Sequence, residues 1–174
     1  QLLAGGSGAS RQRDGVDVIE TDVTNCMNVP AEALEMSGPL RVHSLKLRTD
    51  SGGAGAHRGG LGCEQRIEIL GSDATMTYRG DRHFWVSPGH DGGQSGAPAV
   101  GWIDRASGAR EEIPSKLVTR LQRGDIVTIC TAGGAGFGDP RQRDRNAVAE
   151  DIANGKIGAE AAAAAYGFSA GRNG

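Results

Sequence analysis

Apolar and polar side chains alternate with a period of two through the middle of the chain. Leu45 and Leu47 alternate with Lys46 and Arg48, Ile67 and Ile69 with Arg66 and Glu68, and Met76 and Tyr78 with Thr75 and Thr77. That spacing predicts strands with one buried face and one wet face. Residues 99–104, 116–121 and 125–131 read as further strands, each flanked by Gly, Pro or Asp turn residues. Upstream, residues 16–28 (VDVIETDVTNCMN) mix β-branched residues with acids and predict a strand leading into a turn. Residues 30–36 (PAEALEM) predict a short helix with Pro in its first turn, ended by Gly38-Pro39.

After Gly138-Asp139-Pro140 the period becomes helical. Asp144 is placed to cap a helix running to about residue 153, with Val148 and Ile152 four apart on one face and Asn154-Gly155 as the stop. A second helix is expected over residues 159–166 (AEAAAAAY), ended by Gly167. Its alanines have high helix propensity but little bulk, so it must pack closely against a neighbouring surface. The expected fold is mainly β (α+β), with an antiparallel or mixed sheet and two short C-terminal helices. Residues 1–140 would form a glycine-rich β domain. Residues 141–174 would form a helical tail packed on that domain or on a partner subunit. No internal repeat is visible.

Composition sharpens this picture in one respect. Glycine makes up 29 of 174 residues, against a usual share of ~7%, and aromatics only 4%. Such a chain buries little side-chain volume per residue, so it must fold as turn-rich β structure or rest against a larger partner. The formal charge of -2 and pI near 6.1 give no electrostatic reason to bind nucleic acid or an anionic membrane. No apolar run approaches the roughly 20 residues that cross a bilayer, and residues 1–8 lack the basic and apolar regions of a signal peptide. Three scattered cysteines, Cys26, Cys63 and Cys130, fit a reducing cytoplasm better than a disulfide framework. The chain lacks an initiator Met, and a fragment, a processed product or one piece of a split subunit is expected.

Candidate chemistry is sparse. Residues 51–62 (SGGAGAHRGGLG) invite comparison with phosphate-binding loops, but no Gly-Lys-Ser/Thr follows, and Arg58 stands where a dinucleotide fingerprint needs its third glycine. A strand rather than a helix follows, so no helix N-terminus is available for a pyrophosphate. A multi-turn loop with several positive-φ positions is the simpler expectation. The second glycine run, residues 131–140, precedes its helix at too great a distance for a phosphate loop. His43, His57, His83 and His90 show no paired metal-ligand spacing, although Asp81-Arg82-His83 and His90-Asp91 would offer a proton-transfer or metal site if they converged. Arg123-Gly124-Asp125 matches an adhesion tripeptide but reads as a tight turn with Gly124 left-handed. No serine shows a nucleophile elbow, and Cys63 reads as a small buried side chain.

The order of these motifs is more informative than any one of them. Asp14-Gly-Val-Asp, Thr24-Asn-Cys-Met-Asn28-Val-Pro30, Arg48 through Gly62, Asp81-Arg-His83, Gly92 through Pro98, Pro114-Ser-Lys116, Gly133 through Pro140, Arg143-Asp144 and Gly155 through Glu160 occur in sequence. In that arrangement the chain resembles the C-terminal part of the hydantoinase B family. This family includes the B-type half of 5-oxoprolinase and the large subunits of acetone and acetophenone carboxylases. The run Phe84-Trp-Val-Ser-Pro88 departs from the Pro-Pro-Trp-Gly-like run of many members.

The resemblance implies a component of a cytoplasmic, multisubunit, ATP-dependent enzyme. One subunit phosphorylates an amide or enolate oxygen, and ring opening by water or carbon–carbon bond formation follows at a metal site. The implied partners are the remainder of the B-type subunit, an A-type nucleotide-binding subunit and a small-molecule substrate, with neither nucleic acid nor membrane. ATP and a divalent metal are implied for the complete complex, with no cofactor held by this chain alone. The resemblance makes residues 51–62 a structural glycine loop between two strands. It nominates Asn25, Asn28, Asp81, Arg82 and His83 as residues near a substrate or intersubunit channel: Arg82 to stabilise anionic oxygen, His83 to orient a carboxylate or exchange a proton. The alternative is a non-catalytic scaffold or assembly subunit of such a complex.

Overall fold

The computed structural model describes residues 1–20 and 26–169. Its elements are α1 (Ala31–Ser37), β1 (Leu40–Leu47), β2 (Cys63–Ile69), β3 (Ala74–Arg79), β4 (Val100–Asp104), β5 (Arg110–Glu112), β6 (Lys116–Leu121), β7 (Ile126–Cys130), a 3-10 turn (Pro140–Gln142), α2 (Arg145–Ala153) and α3 (Ala159–Tyr166). Strands β1-β2-β7-β4-β5 form one sheet and β3-β6 a two-stranded ribbon, with every pairing antiparallel. The predicted strand segments from β1 onward all appear, and β5 adds a short one whose three exposed charged residues carry no alternation. A bulge beside His43 interrupts the β1–β2 register.

Alternation places the core. On the ribbon, Ala74, Met76, Tyr78, Leu117 and Leu121 face inward, against Ile69, Ile103, Ile113, Val127 and Ile129 of the larger sheet and its loops. The ribbon's other face carries Thr75, Thr77, Arg79, Val118 and Arg120 in water. Ile103, fully buried, contributes about 2 kcal/mol by leaving water.

The glycine-rich segments form a second body of structure. In this sheaf, segments within residues 5–9, 51–54, 94–97 and 132–136 lie side by side and bond backbone to backbone at every third residue. Gly6 and Ala9 donate to the carbonyls of Ala132 and Ala135 at 3.0 and 2.8 Å, Gly133 and Gly136 to Ala97 and Gln94 at 3.0 and 2.8 Å, and Ala97 and Gln94 to Ser51 and Ala54 at 2.8 and 2.7 Å. A three-residue repeat of this kind belongs to polyproline-II-like chains, in which glycine lets neighbouring backbones touch. A Cβ at Gly6 would overlap the Gly60 carbonyl, and one at Gly134 the carbonyl of Ser7. The expectation of several positive-φ positions in residues 51–62 is therefore corrected. None of its glycines is left-handed, and space rather than backbone freedom demands them.

The C-terminal segment ends as its sequence signals dictate. The Asp144 carboxylate accepts from the amides of Asn146 and Ala147 to cap α2, and Gly167 ends α3 in the left-handed region at φ 58°. Val148, Ile157, Ala162 and Tyr166 pack around Ala54, so α3 lays its alanine face on the glycine sheaf. One further expectation fails. Residues 16–20 and 26–28 form no strand, since the amides of Val16 and Val18 go to the Ser7 hydroxyl and the Leu61 carbonyl instead of to a ladder. The rest of that stretch lies outside the described residues.

Candidate functional site

Most amides of both glycine runs are already committed to partners within the fold. A phosphate loop needs unsatisfied N–H groups pointing at one place. In residues 51–62 the amides of Gly53, Ala56, His57, Gly59 and Gly60 donate to backbone carbonyls, Gly62 donates to the Ser51 hydroxyl, and Arg58 and Leu61 donate to Asp14 and Asp17. In residues 131–138, Thr131, Gly133, Gly134, Gly136, Phe137 and Gly138 are similarly committed.

The polar triplet lies on the loop after β3, on the ribbon's outgoing end. Arg82 takes a left-handed φ of 60°. Its guanidinium donates to the Gly133 carbonyl at 3.3 Å while its own carbonyl accepts from Ala99 N–H, so the loop is pinned to the sheaf at one residue. His83 Nε2 lies 2.8 Å from the Tyr78 hydroxyl, with the rings edge to face at 5.6 Å. Burial pushes the His83 imidazole below its ordinary pKa and nearby Asp81 opposes this. Burial, with Asp81 second, pushes the Tyr78 phenol up. Both groups are thus held neutral at physiological pH, able to pass a proton along one hydrogen bond.

His83 and Phe84 line a groove of about 490 Å³ together with Val100, Trp102, Arg110 and Pro114. Arg110 lies over the Trp102 ring at 5.1 Å and bonds Asp104 at 2.7 Å, so the cation is fixed at the groove's edge.

Of the five nominated residues, Asp81, Arg82 and His83 share this loop. Asn28 is exposed on the segment entering α1, an element that packs on β1. Asn25 lies outside the described residues. His90 does not join His83, stacking instead on Phe137 with ring centroids 5.4 Å apart. Among the described residues, no group of three or more His, Cys, Asp or Glu side chains is arranged to hold a metal ion. The implied metal therefore has no fitting ligand set here, and no step is routed through it.

An ionic junction between the chain's two ends had no signature in residue spacing. Arg58, 2% exposed, reaches Asp17 and Asp151, each at 3.3 Å, from within the glycine loop. Arg143 bonds Asp14 and Asp151, and Lys156 bonds Asp17 at 2.9 Å. These residues border a cleft of about 370 Å³. Arg58 was the available signal: a cation inside a glycine run needs a buried counter-charge. Asp125 gives a smaller correction of emphasis, because the turn has Gly124 at φ 88° as expected while the acid itself is buried, accepting from Gln122, Ala106 and Arg105.

Comparison with known proteins gives this arrangement a family. The Hydantoinase B/oxoprolinase family model matches residues 1–140. The B-type subunit of a putative D-/L-hydantoinase from a Pseudomonas species is 31% identical over 95% of this chain and 28% of its own length. The beta subunit of the caprolactamase of Pseudomonas jessenii is 31% identical over 81% of the chain and 25% of its own. A crystal structure of the ATP-dependent caprolactamase from that organism superimposes with a TM-score of 0.79 and 27% identity, over 99% of this chain and 31% of that one. Nucleotide-free acetone carboxylase follows at a TM-score of 0.72 and 26% identity, over 96% and 26%. The chain thus spans about a quarter to a third of the length of these relatives. A mostly β fold, motifs in one order and a family match over most of the chain meet in a single assignment: the chain belongs to the Hydantoinase B/oxoprolinase family.

Proposed function

We propose that this chain is a segment of the B-type subunit of an ATP-dependent cyclic-amide hydrolase or ketone carboxylase, working in the cytoplasm with the rest of that subunit and a nucleotide-binding A-type subunit. One observation carries this reading: nearly the whole chain superimposes on a third of an ATP-dependent caprolactamase chain. In this reading ATP activates the amide or enolate oxygen elsewhere in the assembly, and a divalent metal of the complete complex would be held by residues other than the described ones.

The contribution of this chain's own residues is binding and proton handling. Arg82, pinned by Gly133 and Ala99, offers a fixed positive charge beside developing oxyanions. His83, held neutral and bonded to Tyr78, offers a proton acceptor to the attacking or departing group. A scaffold role is the second reading, favoured by the extent of the backbone sheaf.

The test is turnover of the assembled complex with ATP, comparing a hydantoin, 5-oxoproline, caprolactam and a ketone with bicarbonate. His83→Gln should lower kcat at least about 100-fold if the residue transfers a proton. Unchanged turnover with intact assembly would leave the scaffold reading standing.

A further inference from the structure

Phe84 and Trp85 are adjacent, 83% and 78% exposed, and belong to a loop that is not free to bury them. Arg82 fixes the backbone immediately before them through a left-handed φ and bonds at both its ends. His83, bonded to Tyr78, fixes the next residue. Phe84 lines the groove with Val100, Trp102 and Pro114, where Arg110 and Glu112 also lie, and Trp85 follows it directly in the chain. A rigid loop presenting two large aromatics to water matches the anchor of a protein–protein interface, where Trp and Phe side chains enter a pocket and a polar rim excludes solvent.

We infer that Phe84 and Trp85 are the anchor by which this segment docks onto the remaining body of the B-type subunit, whose surface would offer an apolar pocket with a cation facing Glu112. The inference rests on the proposed function. What designates that occupant is the extent of the relatives: the caprolactamase and acetone carboxylase chains that superimpose on this one have about 70% of their length beyond the matched region. Glu112 has no ion pair among the described residues, whereas its neighbour Glu111 is bound by Arg105 at 2.6 Å. Carboxylate and aromatics are thus both left for a partner.

The experiment is hydroxyl-radical footprinting with mass spectrometry on this chain alone and on the assembly captured through it from its native cells. The companion must be identified by its own Hydantoinase B/oxoprolinase sequence. Trp85 and Phe84 should lose reactivity at least about tenfold in the assembly, and the Phe84→Ala/Trp85→Ala chain should bind at least about 30-fold more weakly. Val118→Ala, an exposed apolar change on the ribbon's wet face, should bind normally. If the assembly forms with Trp85 as reactive as in the free chain, or the double variant binds unimpaired, the anchor is elsewhere while the enzyme-subunit reading survives. Protection that instead grows with the concentration of the isolated chain would make a second copy the occupant and overturn the inference. Failure of any B-type body to assemble would overturn both readings.

Discussion

Arg143 grips Asp14 through two hydrogen bonds of 2.7 and 2.6 Å, joining residues 129 positions apart. The same guanidinium bonds Asp151 at 2.8 Å, so one side chain ties α2 to the loop that follows residues 5–9. Burial by itself would favour the protonated carboxyl of Asp14. The paired guanidinium and the Arg58 amide outweigh it and hold the acid below its usual range, while Arg143 is held charged.

Replacing Arg143 by Met removes the shared cation and leaves two carboxylates in partial burial. The expected loss is about 3 kcal/mol, read as a lower urea midpoint at unchanged slope. Asp14→Asn, which keeps one acceptor, should cost less.

Acid should unfold the protein early. Asp14, Asp17 and Asp125 are all lowered in the fold: burial opposes each, and hydrogen bonds with nearby cations prevail. A carboxyl lowered on folding contributes stability that is complete above its unfolded pKa, near ~4, and is lost as pH falls through the folded value. Melting temperature should therefore hold from about pH 7 to pH 5 and drop steeply below about pH 4. In Arg143→Met the drop should be shallower, because Asp14 has lost its stabilised anion.

Three glycine-to-alanine changes separate space from backbone angle. At Gly134 the new methyl meets the Ser7 carbonyl, which is held in the sheaf, and the cost should be at least about 3 kcal/mol. Gly108 has open space but φ 91°, so about 1–2 kcal/mol is expected. Gly38 has neither constraint, with φ −177° and open space, and should change stability by less than about 0.5 kcal/mol. Thermal melts of the three variants should fall in that order, at roughly 2–4 °C per kcal/mol.

Thr128 is 2% exposed and its hydroxyl has no hydrogen-bond partner among the described residues. Replacement by Val removes a buried unpaired group without changing shape, and should raise stability by about 1 kcal/mol in a urea titration.

His83 should titrate below the usual imidazole range in an NMR pH series. Burial lowers it and Asp81 partly restores it, so Asp81→Asn should move the midpoint lower still. A rise on that substitution would contradict the arrangement of the two side chains.

Much of this fold was legible in the chain because the signals are local. The period of two and the turn residues placed the six longer strands, the Asp144 cap and the Gly167 stop set the ends of the tail helices, and Gly124 announced its turn. The triplet Asp81-Arg82-His83 was likewise visible as a polar cluster beside a strand. β5 was not, since three charged residues paired to β4 carry no pattern of their own. Residues 16–20 had a strand's composition, yet the glycine sheaf took their amides first.

By itself the sequence determined most of the element types, the family and the abundance of glycine, all properties of residue identity and order. The tertiary structure alone decided what the glycines are for. Positive φ and close packing leave the same letter in a sequence, and only the neighbouring carbonyls beside Gly6, Gly133 and Gly134 distinguish them. It also decided that Arg58, Arg143, Asp14 and Asp151 meet, because ion pairs between residues so distant in the chain have no local spacing to betray them.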